Sequence, residues 1–204
     1  MGTELSAAFG TMNPLIVGGV ALIIGVGLGF FVARLGRWYR ARRVRLALRE
    51  RISAVSLDHV RDVLVPDGNG GALHIDFALL TPRGLLVLDM RDVAGNVFGS
   101  DQMAEWTVMD GAQRSTFPNP QNTLYDRVAA VKALAGELSV EGRIVFMRRS
   151  VFPKGLPRFT LSIDSLSQEF PLGDRSLAER NAAPFQAAWE AVKAQLAPSP
   201  LAKI

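Results

Sequence analysis

Residues 15–33 read LIVGGVALIIGVGLGFFVA, nineteen positions without one charged side chain. A helix rises about 1.5 Å per residue, so this run has roughly the length that spans the hydrocarbon core of a bilayer. Glu4 is the only charged side chain in residues 1–14, whereas residues 34–51 hold Arg34, Arg37, Arg40, Arg42, Arg43, Arg45, Arg49 and Arg51. Positive flanks stay on the cytoplasmic side. The pattern predicts a single-pass anchor in the cell membrane (an inner membrane of bacterial type), its N-terminus outside and the rest of the chain in the cytoplasm. A cleaved leader would carry its positive charge ahead of the apolar run. A helix buried in a soluble core would show a polar face, and this run has none. Gly25 and Gly29 have the small-xxx-small spacing that lets two membrane helices approach closely.

The anchor divides the remaining composition. Residues 34–51 carry eight arginines and one glutamate, a balance of +7, which leaves −3 for the rest of a chain whose net charge is +4. The basic segment therefore lies where anionic lipid headgroups attract it, with nucleic acid as the sharper alternative partner for these arginines. The globular part lacks the basic footprint of a strong nucleic-acid binder. The absence of cysteine excludes disulfides, thiol nucleophiles and zinc–thiolate sites, and two histidines, His59 and His74, are too few for a histidine-based cage. No phosphate-binding glycine loop, GxSxG or HExxH is present.

Beyond residue 51 the pattern is that of one α/β domain. Val44, Leu46, Leu48, Ile52 and Val55 suggest a helix leaving the membrane. A short strand is expected at 62–65, ending at Pro66, and PDGNGG (66–71) is a turn. Residues 72–81 alternate, with Leu73, Ile75, Phe77 and Leu79 on one side and His74, Asp76, Ala78 and Leu80 on the other. Residues 85–93 follow as the second arm of a hairpin. Further strands are expected at 96–99 and 105–110. Asn119-Pro120 opens a helix carrying Leu124, Val128, Val131, Leu134 and Leu138 on one stripe. Gly142 punctuates before a strand at 143–152, and a short strand is expected at 159–163. A last helix, capped by Asn181, carries Phe185, Trp189, Val192 and Leu196, and Pro198 and Pro200 end it. His59 is expected near a helix end.

Three polar residues interrupt the hairpin strands. Asp89 and Arg91 lie two apart and share a face. If Pro82-Arg83 is a two-residue turn, Thr81 faces Gly84, Asp76 falls opposite Asp89, and His74 opposite Arg91. Two carboxylates about 5 Å apart repel unless a proton or cation lies between them, and oxygen ligands of this kind suit Mg2+ or Mn2+. A bulge at Gly84 would shift this register by one. The plainer alternative makes Asp76 and Asp89 charges on a solvated strand face, with Arg91 as their surface partner.

The segment HIDFALLTPRGLLVLDMRDVAGNVFG (74–99), then Trp106, then FPNP (117–120) opening a helix, resembles the NERD (nuclease-related) domain over roughly residues 45–150. The order and spacing of these elements carry the likeness. It implies a restriction-endonuclease-like mixed sheet flanked by helices, in αβββαβ order, here preceded by one transmembrane helix. The organisation expected is an N-terminal flank (1–14), the span (15–33), a basic juxtamembrane segment (34–51), the NERD-like domain (45–150), and a C-terminal strand and helix (151–204). Asp76 matches the family's first acidic position. Asp89 stands where glutamate is usual, Arg91 where lysine is usual, and Thr123 where the opening helix usually has glutamine. Glu50 is a candidate for an acid on the preceding helix. The resemblance implies a Mg2+- or Mn2+-dependent nuclease with Asp76 and Asp89 on the metal and Arg91 stabilising developing charge. Arginine is always protonated and cannot act as a base, so the same departures also fit a catalytically silent, membrane-tethered binding or scaffolding module, or a purely structural membrane subunit.

Overall fold

The computed structural model describes residues 46–200 and, ahead of them, residues 28, 30–32, 34–36, 39, 42 and 43. The chain divides into two units, Met1–Leu48 and Arg49–Ile204. Every described residue of the first unit is helical. The expected span at 15–33 and the Gly25/Gly29 pair fall outside the described residues, apart from residues 28 and 30–32. Among the described residues no helix is long and apolar enough to cross a membrane.

The second unit opens on helical residues 49–53 (α1), where Ile52 is fully buried. Strands β1 (Asp58–Pro66), β2 (Ala72–Thr81) and β3 (Gly84–Arg91) follow as an antiparallel meander. Three strands of a second sheet come next: β4 (Gly95–Phe98), β5 (Glu105–Asp110) and β6 (Gln113–Pro118). Helix α2 (Pro120–Ala135) returns the chain to β7 (Val140–Phe146), which lies parallel to β3. The remainder comprises β8 (Ser150–Val151), β9 (Thr160–Ser162), α3 (Leu166–Glu169), α4 (Arg175–Ala182), a 3-10 turn at Ala183–Phe185, α5 (Gln186–Gln195) and β10 (Ala197–Pro198). The main sheet has the order β10-β1-β2-β3-β7-β9 and the second β6-β5-β4-β8. This mixed α/β architecture is consistent with a restriction-endonuclease-like fold, its αβββαβ order interrupted by β4–β6.

Several local expectations change. The first strand begins at Asp58 rather than residue 62, so His59 lies in β1 and not at a helix end. Strand β6 has mostly exposed polar side chains and no apolar alternation to mark it. Gly142 does not punctuate; it lies inside β7, because a Cβ there would stand 2.5 Å from Val128 Cγ2, and its absence lets α2 pack tightly on the strand. The strand expected at 143–152 therefore ends at Phe146, and β8 pairs with β4 in the other sheet. The last helix is two helices joined by a 3-10 turn; Asn181 lies within α4, and Asp174 caps it by accepting from Leu177 N. Asn119 does cap α2, accepting from Gln121 N.

The core lies on both flanks of α2. On one, Val131, Trp189 and Val192 pack against Ala78, Leu80, Leu85 and Val87 of the sheet. On the other, Trp106 is fully buried with Val97, Leu124, Ile144 and Phe146. Each such large apolar side chain contributes about 1.5–3 kcal/mol on leaving water.

Strand alternation breaks at one place. Leu73 and Ile75 pack in the same core cluster as Ala78 and Leu80, and Val63 in the same cluster as Val60, although their parities differ. The β1–β2 ladder passes from Arg61↔Phe77 to Val63↔Ile75. Asp62, between them, has a left-handed φ of 49°, a conformation aspartate tolerates better than most residues. The strands turn over there, so the single alternating face expected for 72–81 does not persist along β2.

Candidate metal centre

The hairpin fixes the site's first half. Thr81 pairs with Gly84, and the β2–β3 ladder runs without a bulge to Phe77↔Leu88. Gly84 has φ 127°, and a Cβ there would meet Ser139 O at 2.5 Å. Immediately beyond the ladder's last pair stand Asp76 and Asp89, both buried.

Their carboxylates have different surroundings. Asp76 Oδ2 accepts the Met90 backbone N–H at 2.8 Å, and Asp76 Oδ1 lies 3.1 Å from His74 Nε2. The other ring nitrogen, His74 Nδ1, is 2.8 Å from Ser199 Oγ. Asp89 Oδ2 receives two guanidinium groups, Arg91 at 2.7 Å and Arg127 at 2.6 Å. Arg127 also donates through Nε to the His74 carbonyl at 2.6 Å, which ties α2 to both strands. Burial pushes the Asp76 carboxyl above the usual carboxylate range; the Met90 N–H opposes that shift, and the nearby Asp89 charge adds to it. Arg91 Nε is buried without a hydrogen-bond partner.

The structure adds a third acid. Donor atoms of Asp62, His74 and Asp76 all lie within 4.8 Å of one another, so this Asp/His group is able to hold a divalent ion. Asp62 reaches it through the turnover in β1. Ser199 reaches it because β10 pairs with β1 and Ser199 N donates to the Asp62 carbonyl at 2.8 Å. Asp76, Asp89 and Arg91 thus form two adjoining clusters: Asp76 with Asp62, His74 and Ser199, and Asp89 with Arg91 and Arg127. Glu50 is exposed, and among the described residues it makes no side-chain hydrogen bond or ion pair with either cluster. Gln121, rather than residue 123, is the buried glutamine at the start of α2; it donates to Asp101 Oδ1 and to the Arg158 carbonyl, both at 2.8 Å.

Sequence reading missed Asp62, Arg127 and Ser199 and gave His74 no ligand role. Arg127 left a usable signal: it lies three residues after Leu124 and four before Val131, a charge on the apolar stripe. Asp62 and Ser199 left none, since a left-handed residue and a pairing across the chain are set by tertiary context.

Residues 38–147 match the nuclease-related domain, NERD. That match covers more than half of the chain, and the chain belongs to the NERD family. Comparison with curated proteins and with solved structures gave no match.

Proposed function

We propose that this NERD-family protein is a metal-dependent phosphodiesterase acting on nucleic acid and held at a membrane by residues 15–33. One observation carries the reading: a partly buried group of carboxylate and imidazole donors within 4.8 Å adjoins two arginines gathered on Asp89. Asp76 is the central metal ligand. Asp89 is the second acidic position, sharing the metal on one side and holding Arg91 and Arg127 on the other. Mg2+ or Mn2+ bound there would lower the pKa of a water and polarise the scissile phosphate. Arg91, partly exposed, offers guanidinium N–H groups to a phosphate whose charge grows in the transition state, and it takes no proton. The uncharged run followed by a +7 segment supports a single-pass anchor with the domain in the cytoplasm, its arginines against anionic headgroups.

The test is incubation of the purified full-length chain with labelled DNA and, separately, RNA, in Mg2+ or Mn2+. Cleavage that chelation stops, and that Asp76→Ala or Asp89→Ala abolishes, is expected. Hydrolysis indifferent to both substitutions would reject the site.

A second reading has its own support. Two arginines on one oxygen of Asp89 already neutralise that acid, which fits a catalytically silent module that binds or scaffolds at the membrane. If the wild-type chain is inert and Asp89→Glu with Arg91→Lys restores cleavage, the domain is a lapsed enzyme and the first reading fails.

A further inference from the structure

The metal half of the proposed function can be taken further, because the three donors differ in chemistry from the pair of oxygens that the family resemblance implies. Two ligands bound to one ion at about 2.0–2.2 Å and at right angles lie about 3 Å apart. His74 Nε2 and Asp76 Oδ1 stand at 3.1 Å. That spacing alone also fits a simple His–Asp pair, but Asp62 does not. Its side chain is only 12% exposed, and its one ion-pair partner among the described residues is Arg61, at 4.0 Å. A carboxylate that enclosed calls for a closer cation. When the His74 Nδ1–H is given to Ser199 Oγ, Nε2 turns its lone pair toward the two acids. Orientation of a ligating imidazole through its other nitrogen is how outer residues tune metal affinity.

We propose that Asp62, His74 and Asp76 bind a divalent ion that accepts nitrogen, such as Mn2+ or Zn2+, in preference to Mg2+, and that Ser199 is the positioning residue that orients His74. Mg2+ is a hard ion that favours oxygen donors and retains its waters, whereas imidazole suits the later metals. Ser199 arrives from the C-terminal strand, 125 residues from His74 in sequence, so metal affinity depends on that segment staying docked along β1. The inference rests on the metal centre of the preceding reading and not on hydrolysis.

The experiment is calorimetric titration of the full-length chain in detergent with MnCl2, ZnCl2 and MgCl2, with pulsed EPR of the Mn2+ form. The expected result is Mn2+ and Zn2+ binding at least about tenfold tighter than Mg2+, and a nitrogen coupling to Mn2+ that His74→Gln removes together with the preference. Asp62→Asn should weaken Mn2+ binding, and Ser199→Ala should weaken it about 10–100-fold, with Ser199→Thr restoring it. Thermal melts establish that each variant is folded. Equal affinity for Mg2+ and Mn2+, absence of nitrogen coupling, or a folded His74→Gln protein with unchanged Mn2+ binding would overturn the site. An unaffected Ser199→Ala protein would overturn the role of Ser199. Tight Mn2+ binding with nitrogen coupling but no cleavage of DNA or RNA would refute the proposed hydrolysis and leave this inference standing.

Discussion

Asp89 is 2% exposed yet ionically engaged by two side chains, an arrangement in which loss of one partner weighs heavily. Removing one member of a buried pair leaves charge that water cannot reach. Arg127→Ala is expected to cost about 3 kcal/mol, read from the midpoint of denaturant unfolding. Asp76 behaves differently. Its carboxyl holds its proton above the usual range because it is buried. A proton held more tightly in the folded than in the unfolded chain contributes stability at acid pH, and that contribution is lost as pH rises through the raised value. Asp76→Asn keeps an acceptor for the Met90 N–H without the buried charge, so at neutral pH it should melt no lower than the metal-free parent. Asp76→Ala leaves that N–H unsatisfied and should cost about 1–3 kcal/mol. Melting curves across pH separate the two. At this scale the sequence was legible where a charge broke an apolar strand, as at Asp76 and Asp89. It was opaque where a residue's role depends on a partner far along the chain. Nothing near His74 announces Ser199.

At the scale of elements, hydrogen-bonding residues hold the layers in register. Asn119 caps α2 and donates to the Met103 carbonyl at 2.9 Å; Asn119→Ala should cost about 1–2 kcal/mol, measured by chemical denaturation. Strand β1 is tied to α5 through Asp58, whose Oδ2 accepts from Trp189 Nε1 at 2.7 Å and Lys193 Nζ at 2.9 Å. Partial burial pushes this carboxyl up, but the Trp189 and Lys193 hydrogen bonds outweigh it and hold it below the usual range. The stability Asp58 contributes is therefore present above the ordinary carboxylate value and lost as pH falls through the lowered one. Asp58→Asn should flatten the acid limb of the stability profile. Strands β2 and β5 and helix α2 were readable from their apolar patterns and from the Asn-Pro start. The turnover at Asp62 was not, because hydrophobic alternation assumes that a strand keeps one face throughout.

Across the whole molecule, a domain whose net charge is mildly negative follows a basic, apolar N-terminal segment. The full chain is expected to pellet with membranes, to resist extraction by high salt, and to be released by detergent. Removal by salt alone would point to headgroup attraction without a span. The apolar runs made the strands legible and the family resemblance supplied their αβββαβ order, whereas the hairpin register was legible only as one of two alternatives, which the Thr81↔Gly84 pair decides against a bulge. The second sheet was only half legible, since exposed β6 carries no core-facing pattern. Asp76 is the acid shared by the proposed catalytic pair and the Asp/His group. The most direct test is the rate of phosphodiester cleavage by the full-length chain and by Asp76→Asn, side by side at saturating Mn2+. The account predicts cleavage by the first and a loss of at least about 100-fold, or about 2.7 kcal/mol of transition-state stabilisation, in a folded second. Equal rates in the two, or no cleavage by either, would contradict it.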